Sequence, residues 1–265
     1  MIDLHSHILP GIDDGAKTLE VALEMARIAV ADGIHTMACT PHIYPGMYVN
    51  DGPGIQAAVQ ALQAELDHQG IALRLVVGAD VHLVPGLIDG LRTGRIPTLN
   101  GSRYFLLEPS HTTPPPRFEG AVVELIEAGY TPIITHPERL TWVEWHFPVF
   151  LRLVEQGAWL QITAGALSGL FGRRAQHWGR RFLAEGHTHL IASDAHSHNR
   201  RVPRMREAHD LARSWLGEEE ARRLVLDRPQ AVIDNLPPQD VALPQCPPAK
   251  TGWLAALRHR LRNPA

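Results

Sequence analysis

The sequence predicts an α/β fold in which parallel strands close, or nearly close, into a barrel. Short runs of β-type residues alternate with amphipathic helical stretches along most of the 265 residues. Several of the helical stretches end at a glycine, as helix C-termini often do. Repeated alternation of strand and helix implies parallel strands, and right-handed crossovers wrap such strands into a barrel.

Seven runs have the character of strands, and four clear helical stretches lie between them. The predicted strands are 1–4, 35–40, 72–77, 103–108, 131–135, 158–163 and 188–193. The predicted helices are 18–32, 55–69, 118–128 and 168–185, with glycines 33, 70, 129 and 186 at their ends. No sequence repeat of fixed period accompanies the alternation, so a solenoid is excluded.

The domain prediction is one barrel over residues 1–236 and a C-terminal extension over residues 237–265. Five prolines within 236–250 indicate a linker, and the pattern of 252–262 indicates a short basic amphipathic helix. Such a helix either docks on its own barrel or contacts a membrane-proximal kinase or an oligomer neighbour. The sequence leaves these alternatives, and a homo-oligomer, open.

Composition excludes several classes of protein. A net charge of −3 and a pI near 6.6 give no electrostatic reason to expect nucleic acid or an anionic membrane as the main partner. Two cysteines, Cys39 and Cys246, cannot form a disulfide framework in a chain of this length, which indicates a reducing compartment. Because neither a leader-like segment nor a transmembrane stretch is evident, we expect a cytoplasmic protein with no transmembrane segment.

The first residues of the chain have the pattern of a metal site. His5 and His7 are two residues apart in an extended segment, so their imidazoles point the same way, and the carboxylates Asp13 and Asp14 follow. Further residues of ligand type recur where predicted strands end. With the opening histidines the set comprises His5, His7, Asp14, His42, Asp80, Glu108, His136, Asp194 and His196. The C-terminal ends of barrel strands share one rim, so these side chains should converge.

The chemistry of this set indicates more than one ion. Nitrogen and oxygen ligands without a thiolate suit Mn, Fe or Zn. Nine ligands exceed what a single divalent ion takes, so we expect two or three ions with bridging carboxylates. Manganese is the first expectation, with iron or zinc as alternatives.

The chain resembles the PHP (polymerase and histidinol phosphatase) superfamily, and within it the bacterial metal-dependent protein-tyrosine phosphatases of capsule and exopolysaccharide synthesis. The similarity spans residues 1–235, and its motifs are residues 3–15, 40–42, 135–139 and 193–196 followed by Arg201. The resemblance implies a distorted (β/α)7 barrel and a trinuclear metal centre. It also implies hydrolysis of phosphotyrosine on a tyrosine-phosphorylated kinase of polysaccharide export. Metal-bound hydroxide would then attack phosphorus.

The resemblance also implies individual roles. One ion would be held by His5, His7 and Asp194, a second by Asp14, His42 and His196, and a third by Glu108 and His136, with Asp80 bridging the first and third. Asp13 could replace Asp14, since sequence cannot say which of two adjacent carboxylates faces inward. Arg139 and Arg201 match the phosphate-binding arginines of the family, a role that suits the planar fork of a guanidinium.

The chain departs from the family at two places. Asp80 stands where these phosphatases carry glutamate, and His82 replaces a neighbouring basic residue. The loop after His42 lacks the second histidine and the basic residues often found there. Metal spacing and substrate preference are the properties that these differences would affect.

Other hydrolase chemistries fit the residues less well. A cysteine phosphatase needs an arginine six residues after its cysteine, where Cys39 has Pro45. The chain also lacks the mid-chain lysine of binuclear amidohydrolases, a Gly-x-Ser-x-Gly motif and a P-loop. Two alternatives stay open: a phosphoesterase of the same superfamily acting on a small metabolite such as histidinol phosphate, and a non-catalytic binding module.

Overall fold

The computed structural model describes residues 1–246 of the chain. In this part of the chain, nine short strands alternate with helices. The strands are β1 (Ile2–Asp3), β2 (Thr36–Cys39), β3 (His42–Ile43), β4 (Arg74–Val77), β5 (Asp80–His82), β6 (Tyr104–Glu108), β7 (Thr131–Thr135), β8 (Trp159–Thr163) and β9 (Leu190–Ala192). All seven predicted strands are present, most of them shorter by one to three residues than predicted.

The strands form two parallel sheets that continue into each other. One sheet has the order β1-β2-β4 and the other the order β3-β5-β6-β7-β8-β9, and every pair between these strands is parallel. Because β3 follows β2 directly and β5 follows β4, the two sheets continue into each other. The predicted α/β fold with parallel strands is therefore confirmed.

The interruptions have local causes. Pro41 separates β2 from β3, and a proline has no N–H to donate to the ladder. Gly78 separates β4 from β5, and a Cβ there would lie 2.8 Å from a methyl group of Leu99. The predicted strands 35–40 and 72–77 end just before Pro41 and Gly78, and the short continuations β3 and β5 were not predicted.

The first and last strands meet just beyond their C-terminal ends. The N–H of Asp194 donates to the carbonyl of His5 at 2.9 Å, and the N–H of His7 donates to the carbonyl of Ala195 at 2.8 Å. The buried Asp3 carboxylate also accepts hydrogen bonds from the N–H and the hydroxyl of Ser193, at 3.0 and 2.5 Å. These contacts connect the last strand to the first, at the end of the barrel where the predicted ligands lie.

Ten α-helices connect and cover the strands within residues 1–246. They are α1 (Leu19–Asp32), α2 (Gly52–His68), α3 (Leu87–Arg92), α4 (Phe118–Glu127), α5 (Val143–Glu155), α6 (Ala164–Ser168), α7 (Gly172–Ala184), α8 (Arg206–Leu216), α9 (Glu218–Arg222) and α10 (Arg228–Ile233). Helix α1 shows why they form where they do. The Thr18 hydroxyl caps its first turn, its buried residues recur every three or four positions, and it ends at Gly33 with φ 94°.

One predicted helix is wrong in its extent. The amphipathic stretch 168–185 is not continuous, because Gly169 and Gly172 have φ of 92° and 83°, outside the range of a right-handed helix. Helix α6 ends at Ser168, where the predicted helix begins, and the stretch forms a turn that carries Phe171 followed by α7. Helices α3, α5, α6 and α8 to α10 were not predicted.

The core lies on both faces of the strands. All residues of β6, β7 and β8 are buried, as expected for parallel strands covered by helices on one side and filled by side chains on the other. None of the helices in residues 1–246 has the length and apolar character needed to span a bilayer.

The start of the C-terminal extension packs against the barrel. Residues Pro238–Asp240 form a short 3-10 turn, and the buried Arg228 donates to the carbonyls of Ala242 and Leu243 at 2.7 and 2.9 Å. The predicted helix at 252–262 lies outside the described residues, and the predicted boundary at 236 stays a prediction.

Arg228 also forms a buried ion pair, with Nη1 2.8 Å from Oε1 of Glu220. Removing one member of a buried pair leaves the other charge without its main partner. Within residues 1–246, Glu220 would keep only Arg223, 3.5 Å from its Oε2, so Arg228→Ala should lower the free energy of unfolding by about 3 kcal/mol. The control is Arg213→Ala, which breaks a half-exposed pair with Asp210 and should cost less than about 1 kcal/mol. Urea denaturation followed by circular dichroism measures both, and equal losses would show that the buried pair is not a structural anchor.

Candidate metal centre

The nine predicted ligand residues lie at one end of the barrel. Seven of them have buried side chains, His42 is nearly buried, and Asp14 is about half exposed. Together with those of His82 and His111, their donor atoms form overlapping groups, and within each group all atoms lie within 4.8 Å of one another. The groups are His7, Asp14, His42 and His196; His5, His7 and Asp80; His5, His136 and Asp194; His42, His82 and Glu108; and Glu108, His111 and His136. We call these eleven residues the rim cluster.

Two hydrogen bonds fix the orientation of the opening histidines. Nδ1 of His5 lies 2.9 Å from Oε1 of Gln161, and Nδ1 of His7 lies 2.7 Å from Oδ2 of Asp13. Both rings therefore direct Nε2 into the cluster, where the two Nε2 atoms are 3.2 Å apart. Outer partners of this kind orient histidines that ligate metals. Gln161 was not among the predicted site residues, because its position in the middle of a buried strand is that of a core residue.

The adjacent carboxylates Asp13 and Asp14 have different surroundings. The Asp13 carboxylate is occupied by hydrogen bonds from the His7 ring and from the N–H groups of Gly15 and His42. The Asp14 carboxylate instead faces two imidazoles, with Oδ1 3.5 Å from Nε2 of His42 and 3.4 Å from Nε2 of His196. Asp13 thus supports His7, and Asp14 belongs to the cluster.

Asp80 lies at the centre of the cluster and is fully buried. Its Oδ2 is 3.4 Å from Nε2 of His5 and 3.5 Å from Nδ1 of His42. Within residues 1–246, neither carboxylate oxygen of Asp80 accepts a hydrogen bond. A buried carboxylate without hydrogen bonds is costly unless a cation compensates it. Together with a donor set of nitrogen and oxygen, these orphaned oxygens fit divalent metal ions.

Asp194 connects the imidazoles to two arginines. Its Oδ1 lies 3.3 Å from Nε2 of His5 and 3.5 Å from Nε2 of His7, while its Oδ2 accepts hydrogen bonds from Arg139 and Arg201. Burial opposes the charge on Asp194, but His5, Arg139 and Arg201 outweigh it and hold its pKa well below the ordinary value. The carboxylate is therefore ionised.

Both arginines lie beside Phe171. The guanidinium carbons of Arg139 and Arg201 are 4.4 and 5.9 Å from the centre of the Phe171 ring, which places this ring against the two cations. Phe171 belongs to the turn between α6 and α7, the segment that was predicted as helix, and the sequence analysis did not identify it as a site residue.

Glu108 has imidazoles on both carboxylate oxygens. Oε2 is 2.7 Å from Nε2 of His82 and 3.4 Å from Nδ1 of His42, and Oε1 is 3.0 Å from Nε2 of His111 and 3.4 Å from Nε2 of His136. Burial opposes ionisation of Glu108, but the hydrogen bonds from His111 and His82 hold its pKa far below the ordinary value. His111 was not among the predicted site residues, and His82 was noted only as a departure from the family.

Two further imidazoles of the cluster, those of His196 and His136, are suited to coordination. Burial, followed by the charge of His7, lowers the pKa of His196 to about 4, and burial followed by Arg139 lowers the pKa of His136 well below its ordinary value. Neutral imidazoles and ionised carboxylates are the forms that bind a cation.

Two site positions have unusual backbone. His136 and Asp194 have φ of 36° and 51°, in the left-handed region that residues with a Cβ rarely adopt. Such conformations persist where the surrounding structure fixes them, and they concentrate at functional sites.

The fold and the site define a class of protein, a parallel α/β barrel whose rim carries a cluster of metal-ligand side chains beside two arginines. Residues 1–234 match the model of the family described as capsular polysaccharide synthesis, CpsB/CapC, and the chain belongs to this family.

Characterised relatives are similar over most of their length. The chain is 34% identical over 219 residues to tyrosine-protein phosphatase YwqE of Bacillus subtilis (strain 168), covering 83% of this chain and 86% of the relative. It is 31% identical over 240 residues to tyrosine-protein phosphatase CpsB of Streptococcus pneumoniae, covering 88% of this chain and 98% of the relative. The resemblance to capsule-synthesis phosphatases is confirmed.

A solved structure has the same fold. It comes from work on YwqE from Bacillus subtilis and CpsB from Streptococcus pneumoniae, described there as unique metal-dependent tyrosine phosphatases. The match has a TM-score of 0.87 at 31% identity, and it covers 95% of this chain and 100% of the other.

Proposed function

We propose that this chain is a metal-dependent protein-tyrosine phosphatase that hydrolyses phosphotyrosine. The observation that carries the proposal is the position of Asp194, with one oxygen on the imidazoles and the other on two arginines. A phosphoryl group placed there would be within reach of bound ions on one side and guanidinium forks on the other. Membership of the capsular polysaccharide synthesis family supports it.

The nine residues of the sequence prediction would hold two or three divalent ions, with manganese as the proposed ion. The geometry favours Asp14 over Asp13 as a ligand, because the Asp13 carboxylate is already satisfied by hydrogen bonds. Asp80, which has no hydrogen bond among the described residues, would contribute a carboxylate to the ions beside His5 and His42. When bound, the ions supply Lewis-acid chemistry and a water-derived nucleophile at neutral pH.

The side chains of the protein bind and orient the phosphoryl group. Arg139 and Arg201 would each present two N–H groups to its oxygens and offset charge in the transition state. An oxygen–phosphorus bond forms from water as the bond to the tyrosine oxygen breaks, giving tyrosine and inorganic phosphate. The phenol has a pKa of about 10, so its departure needs less assistance than that of an alkyl alcohol.

The surface around the cluster supports a protein substrate. The loop after β3 places the Tyr44 ring on His82 and the Tyr48 ring on His42, with ring centres 4.0 and 5.4 Å apart, and exposes Met47 and Val49. Apolar and aromatic side chains beside a phosphate site suit a phosphotyrosine within a polypeptide. We propose as partner the tyrosine-phosphorylated kinase of polysaccharide export, in the cytoplasm, where two unpaired cysteines would stay reduced.

A comparison of substrates tests the proposal. Metal-reconstituted protein is assayed on a phosphotyrosine peptide, a phosphoserine peptide of the same sequence and histidinol phosphate. We expect kcat/KM to be highest on phosphotyrosine. Highest activity on histidinol phosphate would identify a small-metabolite phosphoesterase, and failure to hydrolyse any of the three would favour a binding module.

A further inference from the structure

His111 is a candidate metal ligand that lies outside the set implied by the family resemblance. It follows Glu108 by three residues, on the loop that leaves β6. Its Nε2 lies 3.0 Å from Oε1 of Glu108, and its ring centre lies 4.8 Å from that of His136. His111, Glu108 and His136 form one of the donor groups of the rim cluster.

The position of His111 is fixed by contacts to the segment that follows His136. The N–H and hydroxyl of Thr141 donate to the carbonyl of His111 at 2.9 and 3.0 Å, and the indole N–H of Trp142 donates to the carbonyl of Ser110 at 2.8 Å. The loop after β6 and the segment after β7 are therefore joined. The imidazoles of His111 and His136 lie on these two joined segments, and both face Oε1 of Glu108.

The separations within this group match those between ligands of one ion. Two ligand atoms at 2.0–2.1 Å from an ion, with an angle of 90–110° between them, are about 2.9–3.4 Å apart. Oε1 of Glu108 is 3.0 Å from Nε2 of His111 and 3.4 Å from Nε2 of His136. The other oxygen, Oε2, lies 2.7 Å from Nε2 of His82, a contact that orients the carboxylate and leaves Oε1 for the ion.

We infer that His111 is a further protein ligand of the ion held by Glu108 and His136. With the Asp80 bridge that the resemblance implies, two imidazoles and two carboxylates would hold this ion, and a catalytic ion needs a further, open position for water or substrate. Nitrogen and oxygen sets of this kind suit Zn²⁺ or Co²⁺ as well as Mn²⁺. The inference rests on the proposed metal-dependent function of the same site.

The test is a metal titration of the full chain after chelator treatment, with Co²⁺ as the probe. Visible absorption of the bound ion and elemental analysis report the number and affinity of the sites. For His111→Ala we expect the Kd of one equivalent to rise at least about tenfold, with a changed Co²⁺ spectrum, while the other equivalents bind as in the wild type. The matched control, His68→Ala, removes an exposed imidazole at the end of α2 and should change neither.

A second variant separates ligation from orientation. In His111→Gln the side chain can still donate a hydrogen bond to Glu108 but lacks the imidazole nitrogen. Weakened binding of one equivalent in both variants supports the inference, whereas wild-type affinity in either would overturn it. A wild-type protein that binds no Co²⁺, Zn²⁺ or Mn²⁺ would instead reject the proposed metal-dependent function itself.

Discussion

Replacement of Arg139 or Arg201 with alanine is expected to lower kcat/KM on a phosphotyrosine peptide by roughly 10²-fold or more. One charge-assisted contact to the phosphoryl group in the transition state is worth about 3 kcal/mol. Metal content should stay at the wild-type value, because both arginines donate to Oδ2 of Asp194 whereas Oδ1 faces the imidazoles. Lysine at either position should restore activity only in part, since it retains the charge but lacks the planar fork.

The control for this experiment is Arg152→Ala, which removes an exposed arginine paired with Glu119 on the outside of the barrel. Steady-state kinetics on p-nitrophenyl phosphate and on the peptide are measured beside elemental analysis of the same samples. Near-wild-type kinetics in Arg139→Ala would show that phosphate binds elsewhere. Loss of metal would show that the arginine holds the cluster together rather than the substrate.

Replacement of Asp80 with alanine is expected to reduce both metal content and turnover, the latter by about 10³-fold or more. Ions contribute several kcal/mol of charge stabilisation, and each 1.4 kcal/mol changes the rate tenfold. Asp80→Asn, which keeps the shape but removes the charge, should behave like the alanine variant. Asp80→Glu should retain substantial activity, because the resembled family carries glutamate at this position.

Elemental analysis and kinetics on all three variants make this prediction testable. Asp80 is fully buried, and among residues 1–246 its carboxylate accepts no hydrogen bond and has only the imidazoles of His5 and His42 within 3.5 Å, so the variants test its role toward the ions. Full metal occupancy and a normal rate in Asp80→Ala would remove this residue from the site.

The sequence predicts the rim positions well because one rule of geometry governs them. Parallel strands end at the same edge, and residues such as His136 and Asp194 come directly after strands that their apolar runs identify. The pairing of strands and the α/β class follow from the same alternation. The breaks that give β3 and β5 depend on Pro41 and Gly78, whose effect on a strand also depends on its neighbours.

The residues that sequence analysis missed depend on contacts between distant segments. His111 reaches the cluster because Thr141 and Trp142 hold its loop, and Gln161 contacts His5 from a strand 156 residues away. Phe171 reaches the arginines because two glycines break the predicted helix 168–185. Local periodicity carries no information on these contacts, since each depends on how the barrel closes.

The most direct test of the account is removal of the metal, set against modification of the thiols. Cys39 is buried, and its burial raises the pKa of the thiol well above the ordinary value, so the thiolate of a cysteine phosphatase is not available there. Exhaustive chelation should abolish hydrolysis of a phosphotyrosine peptide, Mn²⁺ should restore it, and iodoacetamide should leave it unchanged. Activity that survives chelation but is lost with iodoacetamide would contradict the account.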